Sequence, residues 1–385
     1  MTEWKEYKLE EIIEVFIDYR GKTPQKSSFG IPLITAKVVK EGRILPPNEF
    51  IPEEDYDSWM TRGLPEINDV VLTTEAPLGE VALIKDNRVA LAQRIITMRG
   101  KRDIVDNIFL KYYFQSKQGQ YELSSRASGT TVFGIKAEVL KKVPVFLPPL
   151  IEQCRIAATL SSLDDKIDLL HRENATLEQM AETLFRQWFV VEAKEEWEEG
   201  KLGDWVVIKR GGSPRPINDY ISSSGYRWLK ISDVTNLNSP YIFQTKEYIK
   251  ESGLQKTVYL SKGSLVLSNS ATPGIPKILC VDSCIHDGWL YFPKSIFSRF
   301  YLYLLFKYIR EDLVNLGNGS IFTNLKTDIL KDYKVVKPDT KTLENFDHQV
   351  YPIFDKLYSN DIQIQTLIQM RDGLLPRLMG GEVKI

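Results

Sequence analysis

Two stretches of the chain carry hydrophobic residues at alternating steps of three and four, the spacing of a heptad seam on a long helix. The first follows Pro148 and Pro149 and runs from Leu150 to about Phe189. The second lies 190 residues further on and has the same phase, which predicts that the two helices pair as a coiled coil. The predicted seam residues are Ile156, Leu160, Leu163, Ile167, Leu170, Asn174, Leu177, Leu184, Val350, Ile353, Leu357, Asn360, Ile364, Leu367 and Leu374.

The rest of the chain is duplicated as well. Residues 19–24 return as 209–214, and residues 129–141 return as 319–331, both at a step of 190. Between these anchors the step becomes 195, which a five-residue insertion explains, and the two copies otherwise diverge there. A repeat of this kind predicts two modules with one fold, whose divergent middle part is the candidate specificity surface.

Outside the seams, short strand-like runs such as 69–73, 81–84 and 264–268 accompany one helical segment in each copy, at 108–121 and 298–314. This pattern predicts an α+β fold without regular βαβ alternation. In it, two α/β modules with mixed, curved sheets alternate with two long helices that form an antiparallel coiled coil, and an internal pseudo-two-fold axis relates the copies.

The predicted boundaries place the first module at 1–148, the central helix at 149–192, the second module at 193–339 and the C-terminal helix at 340–385. A helix of about 38 residues rises about 57 Å, which exceeds one turn of B-DNA, roughly 34 Å. An antiparallel pair would therefore hold one module at either end. A parallel pair would bring both modules to the same end and leave the helix length unused.

Four polar or helix-breaking residues bear on the coiled coil. Asn174 and Asn360 fall on the seam, where a buried amide costs stability but favours the register in which it finds a partner. The sequence leaves open whether they pair or face solvent at a gap. Pro352 predicts the start or a kink of the second helix, and Pro376 its end, so the second helix is predicted to be the shorter one.

Charge is segregated along the chain, although the formal net charge is only −1. Residues 150–200 contain five basic and twelve acidic residues, whereas 201–339 contain nineteen basic and twelve acidic and 85–142 contain twelve basic and five acidic. Basic segments interleaved with Tyr and Phe suit a polyanion such as DNA, while the acidic segment suits a protein partner. Ordinary solvated faces remain an alternative on charge alone.

Four pairs of loops combine glycine, small hydroxyl and basic side chains, which suit phosphates and base edges. They are 20–26 with 210–215, 73–79 with 268–274, 93–94 with 286–287, and 126–136 with 318–326. A structural role at a turn or strand end is an equal alternative for any single residue. The candidate DNA contacts are Arg20, Lys22, Thr23, Lys26, Thr74, Gln93, Arg94, Arg126, Ser128, Thr130, Thr131, Lys136, Arg210, Ser213, Arg215, Asn269, Ser270, His286, Asn318, Ser320 and Lys326.

The sequence lacks the common catalytic and nucleotide-binding motifs. It has no Gly-x4-Gly-Lys-Ser/Thr loop, no Gly-x-Gly-x-x-Gly opening a helix, and no Asp/Asn-Pro-Pro-Phe/Tyr motif. Cys280, Cys284 and His286 offer three soft ligands without counterparts in the first copy, so we predict no metal site. Three cysteines make a disulfide framework unexpected. With no run of roughly 18 apolar residues and no signal-like start, we expect a cytoplasmic, non-catalytic protein without a membrane span.

Two motifs bear a family resemblance. One is Leu-Pro-Pro-Leu-x-Glu-Gln-x-x-Ile-Ala-x-x-Leu-x-x-Leu-Asp-x-Lys-Ile at 147–167, and the other is Arg-Asp-Gly-Leu-Leu-Pro-Arg-Leu-Met-x-Gly-Glu at 371–382. With these motifs, and over its whole length, the chain resembles the specificity subunit of type I restriction-modification enzymes. The second copy departs from the pattern at 337–339, where Lys-Pro-Asp replaces the double proline.

The resemblance implies a subunit with no catalytic activity of its own and no cofactor. Each module would be a target-recognition domain for one half of a split, asymmetric double-stranded DNA site, and the helices would set the gap between the halves. It also implies two methyltransferase subunits, which carry S-adenosylmethionine, and restriction/translocase subunits, which use ATP and Mg²⁺. The alternative is a non-catalytic protein-interaction scaffold without DNA specificity.

Overall fold

The structure is a computed structural model. It describes residues 4–129, 132–235, 237–317 and 325–383. The chain divides into two compact units, of which the first comprises 1–167 and 366–385 and the second 168–365. The division falls within both long helices, so each unit contains one module and a stretch of each helix.

The first unit combines short strands with helices of four to nine residues and the start of the central long helix. Its strands are β1 (Lys5–Lys8), β2 (Ile13–Asp18), β3 (Ile31–Ile34), β4 (Val39–Lys40), β5 (Arg43–Ile44), β6 (Phe50–Ile51), β7 (Val70–Thr74), β8 (Leu78–Leu83), β9 (Ala90–Leu91), β10 (Ile95–Gly100) and β11 (Pro144–Leu147). Its helices are α1 (Leu9–Ile12), α2 (Tyr56–Trp59), α3 (Asn107–Gln115), α4 (Lys117–Ser124), α5 (Ala137–Leu140) and α6 (Leu150–Arg186), which continues into the second unit.

The main sheet of the first unit has the order β2-β10-β7-β8, with antiparallel neighbours. A smaller sheet has the order β6-β3-β9, in which β3 and β9 run parallel. Strand β7 is buried throughout, and its first three residues are apolar because both faces of the strand are covered. Val70 and Leu72 join the core formed with α3 and α6, whereas Val71 joins a second core on the opposite face.

The second unit repeats this arrangement. Its strands are β12 (Glu198–Lys201), β13 (Val206–Arg210), β14 (Ile221–Ser222), β15 (Tyr226–Leu229), β16 (Tyr241–Ile242), β17 (Glu247–Ile249), β18 (Val258–Leu260), β19 (Leu265–Ser268), β20 (Pro276–Leu279), β21 (Ser283–Ile285), β22 (Trp289–Ser295) and β23 (Lys334–Lys337). Its helices are α7 (Leu202–Trp205), α8 (Arg299–Tyr308), α9 (Arg310–Gly317), α10 (Thr327–Lys331) and α11 (Thr340–Met379), which ends in the first unit.

Strand order confirms the internal repeat and the mixed sheets. The run β13-β22-β19-β20 matches β2-β10-β7-β8, and the parallel pair β15–β21 matches β3–β9. Strands β1 and β11 pair at the base of the first module as β12 and β23 do in the second. The second module adds β16, which pairs in parallel with β20.

Helices α6 and α11 run antiparallel within each unit. In the first unit, Asp164 contacts Arg371, and Leu160 shares a core with Leu378. In the second, Asn174 contacts Asn360, and the rings of Phe185 and Phe346 lie 6.1 Å apart. Of the predicted seam residues, the buried ones are Ile156, Leu160, Ile167, Leu170, Val350, Leu357, Asn360 and Ile364. Those of intermediate exposure are Leu163, Asn174, Leu177, Leu184, Ile353, Leu367 and Leu374.

The second helix is slightly shorter than the first, as predicted, but its prolines do not set its ends. The 37 residues of α6 continue without a break into five π-helical residues, Gln187–Val191, whereas α11 has 40 residues and passes through Pro352 and Pro376. Its start is set by a cap, because the Asp339 carboxylate accepts hydrogen bonds from both the amide (2.9 Å) and the hydroxyl (2.7 Å) of Thr342. An interior proline removes one helical hydrogen bond. Burial of Val350 and Phe354 beside Pro352 offsets that loss.

The two seam asparagines pair with each other. The Asn360 amide donates to Asn174 Oδ1 at 2.9 Å and to Glu173 Oε2 at 3.0 Å, and the Asn174 amide donates to Asp361 Oδ1 at 2.9 Å. The alternative in which each faces solvent therefore does not hold. The Ser239 hydroxyl also donates to Asp361, so this polar cluster joins α11 to the second module.

Asp361 makes the stability of the second unit dependent on pH. Burial raises the pKa of its carboxyl to about 6, despite the hydrogen bond from Ser239 and the nearby charge of Lys277. Because the pKa of Asp361 is raised in the folded state, its protonated carboxyl stabilises the fold fully below the unfolded-state pKa, near 4. This contribution is lost as pH rises through about 6. Asp361→Asn should therefore be more stable than the wild type at pH 7.5, by about 2 to 3 kcal/mol.

Chemical denaturation followed by hydrogen exchange in the second unit measures this effect. The advantage of Asp361→Asn should vanish near pH 4. Asp355→Asn is the matched control, because Asp355 is an exposed aspartate on the same helix. An advantage for Asp361→Asn that does not change with pH would contradict the prediction.

Candidate nucleic-acid interface

The predicted loops of the first unit meet at the end of β7. The Thr74 amide donates to the Arg94 carbonyl at 2.9 Å, and the Ile135 amide donates to the Thr74 carbonyl at 2.9 Å. A guanidinium nitrogen of Arg20 donates to the Ile135 carbonyl at 3.1 Å. Backbone hydrogen bonds thus join the second, third and fourth loops, and Arg20 adds the first.

Side chains complete this first-module cluster. The Gln93 amide donates to Thr23 Oγ1 at 3.4 Å, which ties the third loop to the first. Arg94 forms an ion pair with Glu75 at 2.9 Å across the third and second loops. In the fourth loop, Ser128 and Gly134 exchange two backbone hydrogen bonds, at 2.9 and 3.1 Å.

The second unit assembles its loops with the same backbone pattern. The Asn269 amide donates to the Gly288 carbonyl at 2.8 Å, and the Leu325 amide donates to the Asn269 carbonyl at 2.7 Å. Asn269 therefore occupies the position of Thr74, and Leu325 that of Ile135. Gly288 corresponds to Arg94, so Asp287 is the counterpart of Gln93 in the second module. The sequence paired 93–94 with 286–287, whereas the structure pairs 93–94 with 287–288. The prediction missed this register by one residue because only contacts between loops determine it.

Asp287 is the centre of the second-module cluster. Its Oδ1 accepts from the Ser213 hydroxyl at 2.8 Å, and its Oδ2 lies 3.4 Å from an Arg215 guanidinium nitrogen. Its backbone carbonyl accepts from the Arg210 side chain and from the side-chain amide of Asn269. Burial acts to raise the pKa of Asp287. The hydrogen bond from Ser213 and the charge of Arg210 outweigh it and hold the pKa below its ordinary value.

Close packing of the loops requires glycine at position 288. A Cβ there would lie 2.1 Å from His286 Cε1 and 2.6 Å from Ser270 Oγ, distances that no substituted residue can adopt without displacing its neighbours. The His286 ring is largely buried in this packing, and burial lowers its pKa. His286 and Ser270 are therefore partly enclosed at the base of the cluster.

The candidate contacts differ in their pairing and in their exposure. Lys26 pairs with Glu49 at 2.6 Å, and Arg126 pairs with Glu122, so both are engaged within the protein. The exposed candidates are Arg20, Lys22, Thr23, Lys26, Arg94, Ser128, Lys136, Arg210, Arg215 and Lys326. The candidates outside the described residues are Thr130, Thr131, Asn318 and Ser320.

Two candidates differ from their predicted placement at the surface. Thr74 is 1% exposed and Asn269 is 3% exposed, because each closes the end of a central strand with two backbone hydrogen bonds. They position the loops around them, which is the structural role that the sequence left as an alternative.

Sequence reasoning missed two kinds of residue in the clusters, acidic and apolar ones. Glu75 and Asp287 lie in the predicted loops but were not among the candidate contacts, yet each holds an arginine. Phe133 is 63% exposed on the fourth loop, beside the exposed Val132. Apolar side chains at such a position suit thymine methyl groups in the major groove. The signal was a Val-Phe pair within an otherwise polar loop.

The cysteines show no sign of metal chemistry. Within the described part of the chain, no three His, Cys, Asp or Glu side chains are placed to hold a metal ion. Burial raises the pKa of Cys280 to about 12 and that of Cys284 to about 11, which keeps both as protonated thiols at neutral pH. Among the described residues, no helix is long and apolar enough to cross a membrane.

Comparison with known proteins identifies the family. The family described as the type I restriction modification DNA specificity domain matches residues 1–179 and again 194–370. The type I restriction enzyme MjaIX specificity subunit of Methanocaldococcus jannaschii is 25% identical, over 100% of this chain and 94% of that protein. The HindI specificity subunit of Haemophilus influenzae is 23% identical, over 72% and 77%.

A solved structure agrees in fold. The type I restriction-modification S subunit from M. genitalium superposes with a TM-score of 0.59, at 16% identity, over 98% of this chain and 96% of that one. The chain belongs to the type I restriction-modification DNA specificity family, which confirms the resemblance stated above. It is a DNA sequence-recognition subunit and not itself an enzyme, and it is associated with DNA and with the other subunits of such a system.

Proposed function

We propose that the two loop clusters bind the two halves of a split, asymmetric double-stranded DNA target, one half-site to each module. The observation that carries this proposal is that one hydrogen-bonded scaffold presents different side chains in the two copies. Thr74 and Asn269 close equivalent strands with equivalent bonds, while the exposed groups around them differ. A shared scaffold with divergent contact groups suits two different half-sites, since base edges are distinguished by side-chain donors and acceptors.

The proposed partners follow from the surface of α6. The helix is acidic, and its exposed side chains include the apolar Ile151, Leu169 and Met180. Exposed apolar groups on an acidic helix suit a protein partner and repel DNA. We assign this face to two methyltransferase subunits carrying S-adenosylmethionine, with restriction/translocase subunits that use ATP and Mg²⁺ joining in the full cytoplasmic complex.

The helices act in this proposal as the spacer between the half-sites. The functional divisions remain the predicted ones, with recognition modules at 1–148 and 193–339 and spacer helices at 149–192 and 340–385. Nothing in the comparisons supports the alternative of a protein-interaction scaffold. That alternative predicts no DNA binding at any salt concentration, whereas contacts to phosphate weaken steadily as salt increases.

Sequencing of adenine methylation in host DNA tests the proposal directly. The host is compared with and without this gene while every methyltransferase gene is kept. Deletion should abolish methylation of one split motif and leave every other motif intact. Reintroduction of the wild-type gene should restore it. Unchanged methylation after deletion would contradict the assigned function.

A further inference from the structure

In each module, the side chain at one equivalent position of the third loop is hydrogen-bonded to the first loop. In the first module, Gln93 donates to Thr23 Oγ1. In the second, the Ser213 hydroxyl donates to Asp287 Oδ1 at 2.8 Å, and the Asp287 amide donates back to Ser213 Oγ at 3.2 Å. Thr23 and Ser213 are 190 residues apart, the step of the repeat. The link is therefore a repeated device, whose residue is a neutral amide in one copy and a carboxylate in the other.

The carboxylate holds an arginine that the amide does not. Arg215 lies with a guanidinium nitrogen 3.4 Å from Asp287 Oδ2, while Arg210 donates through Nε to the backbone carbonyl of Asp287 and not to its carboxylate. At the equivalent place in the first module, the nearby guanidinium belongs to Arg94 and is held by Glu75 from the second loop. An acidic residue of the third loop thus holds an arginine in the second module, whereas an acidic residue of the second loop does so in the first.

We propose that Asp287 is a positioning residue that determines the DNA specificity of the second module, because its carboxylate holds Arg215, beside Arg210, in place for a base edge. This inference rests on the proposed function. A guanidinium has five N–H donors, so one bond to Asp287 leaves others for the two acceptors of a guanine. Fixing the side chain beforehand reduces the entropy lost on binding.

The charge of Asp287 has a second effect. DNA carries one negative charge per about 1.7 Å of helix axis, so a carboxylate within the cluster weakens binding to every duplex alike. It also neutralises part of the arginine charge that would otherwise attract any phosphate. A uniform penalty cancels from the ratio of two affinities, so that ratio depends on the hydrogen bonds that the positioned arginines make to the correct half-site and not to an unrelated sequence. Specificity arises from that difference.

The experiment compares full-length wild type with Asp287→Asn, which keeps the shape and the bond to Ser213 but removes the charge. The probes are a duplex carrying the methylated motif and an unrelated duplex of equal length, each at several salt concentrations. In Asp287→Asn, affinity for the unrelated duplex should rise and the ratio of the two affinities should fall by about tenfold, at the low end of what one bidentate arginine contributes. Methylation in cells should become relaxed in one half of the motif only.

The matched control is Asp332→Asn, an exposed aspartate of the same unit that pairs with Lys201 at 2.7 Å. A specificity ratio equal to that of the control would overturn the inference, and so would relaxation of both half-sites. In an Arg210→Gln/Arg215→Gln background, adding Asp287→Asn should leave the ratio nearly unchanged, whereas an undiminished tenfold effect would show that Asp287 does not act through the arginines.

Two further outcomes remain decisive. If Asp287→Asn does not fold, Arg215→Gln alone should relax the same single half-site, and an unaltered motif would overturn the inference. Wild-type protein that binds both duplexes equally would instead refute the proposed function itself.

Discussion

Asp164→Ala should lower the free energy of unfolding of the first unit by about 3 to 5 kcal/mol, because it leaves a buried lysine without its counter-charge. Asp164 accepts hydrogen bonds from Lys111 at 2.5 Å, Tyr112 at 2.6 Å and Arg371 at 3.0 Å. Lys111 is only 3% exposed. The cluster joins α3 of the module to both long helices, so its loss should weaken the packing of α3 against them.

Hydrogen exchange at the amides of α3 measures this effect within the first unit. Asp165→Ala is the matched control, since the neighbouring Asp165 is exposed and its replacement should change stability little. Burial acts to raise the pKa of Asp164, but the charge of Lys111 and the hydrogen bonds to it hold the pKa below its ordinary value. The stabilisation is therefore present above the ordinary carboxyl pKa and is lost on acidification. Equal protection in the two variants would contradict the prediction.

The second large effect concerns the spacing of the half-sites. Inserting four residues after Leu170 in α6 and four after Ile364 in α11 should lengthen the methylated motif's central gap by about one or two base pairs. Four residues add about 6 Å to a helix, and base pairs are spaced by about 3.4 Å. Both insertion points are buried on the seam, and an insertion of four is accommodated in a coiled coil by local unwinding.

Methylation sequencing again provides the measurement. Both half-site sequences should stay the same, because the loop clusters are untouched. The control replaces four existing exposed residues beside each insertion point without changing helix length, and it should keep the original gap. An unchanged gap in the lengthened protein, with methylation intact, would show that the helices are not the spacer.

Much of the architecture followed from local pattern. The repeat at a step of 190, the heptad seams and the short strand-like runs predicted an α+β protein with paired helices, and strand order agrees. The ends of α11 did not follow, because local propensity treats Pro352 and Pro376 as breaks. Packing of one helix face against a core supplies more stabilisation than a proline removes, and a single sequence does not show that packing.

The candidate site was predictable as a set of loops but not as a set of contacts. Glycine, hydroxyl and basic residues marked four pairs of loops, and the structure brings the four loops of the first module together through Thr74 and Arg20. Which candidate residues are exposed depended on where the central strands end. Thr74 and Asn269 are polar residues in loop-like sequence, yet two backbone bonds bury each of them.

By itself, the sequence determined that this protein has two copies of one fold, two helices that pair, and basic loops within divergent segments. These properties depend on residues that are near neighbours or on a periodicity that repeats along the chain. Only the tertiary structure decided that Asp287 takes the place of Gln93, that Asp164 balances Lys111 and that Asn174 meets Asn360. The Lys111–Asp164 and Asn174–Asn360 contacts join side chains 53 and 186 residues apart. The equivalence of Asp287 with Gln93 relates positions in different copies of the repeat. Hydrogen bonds and ion pairs depend on distances of a few ångströms, which folding alone establishes.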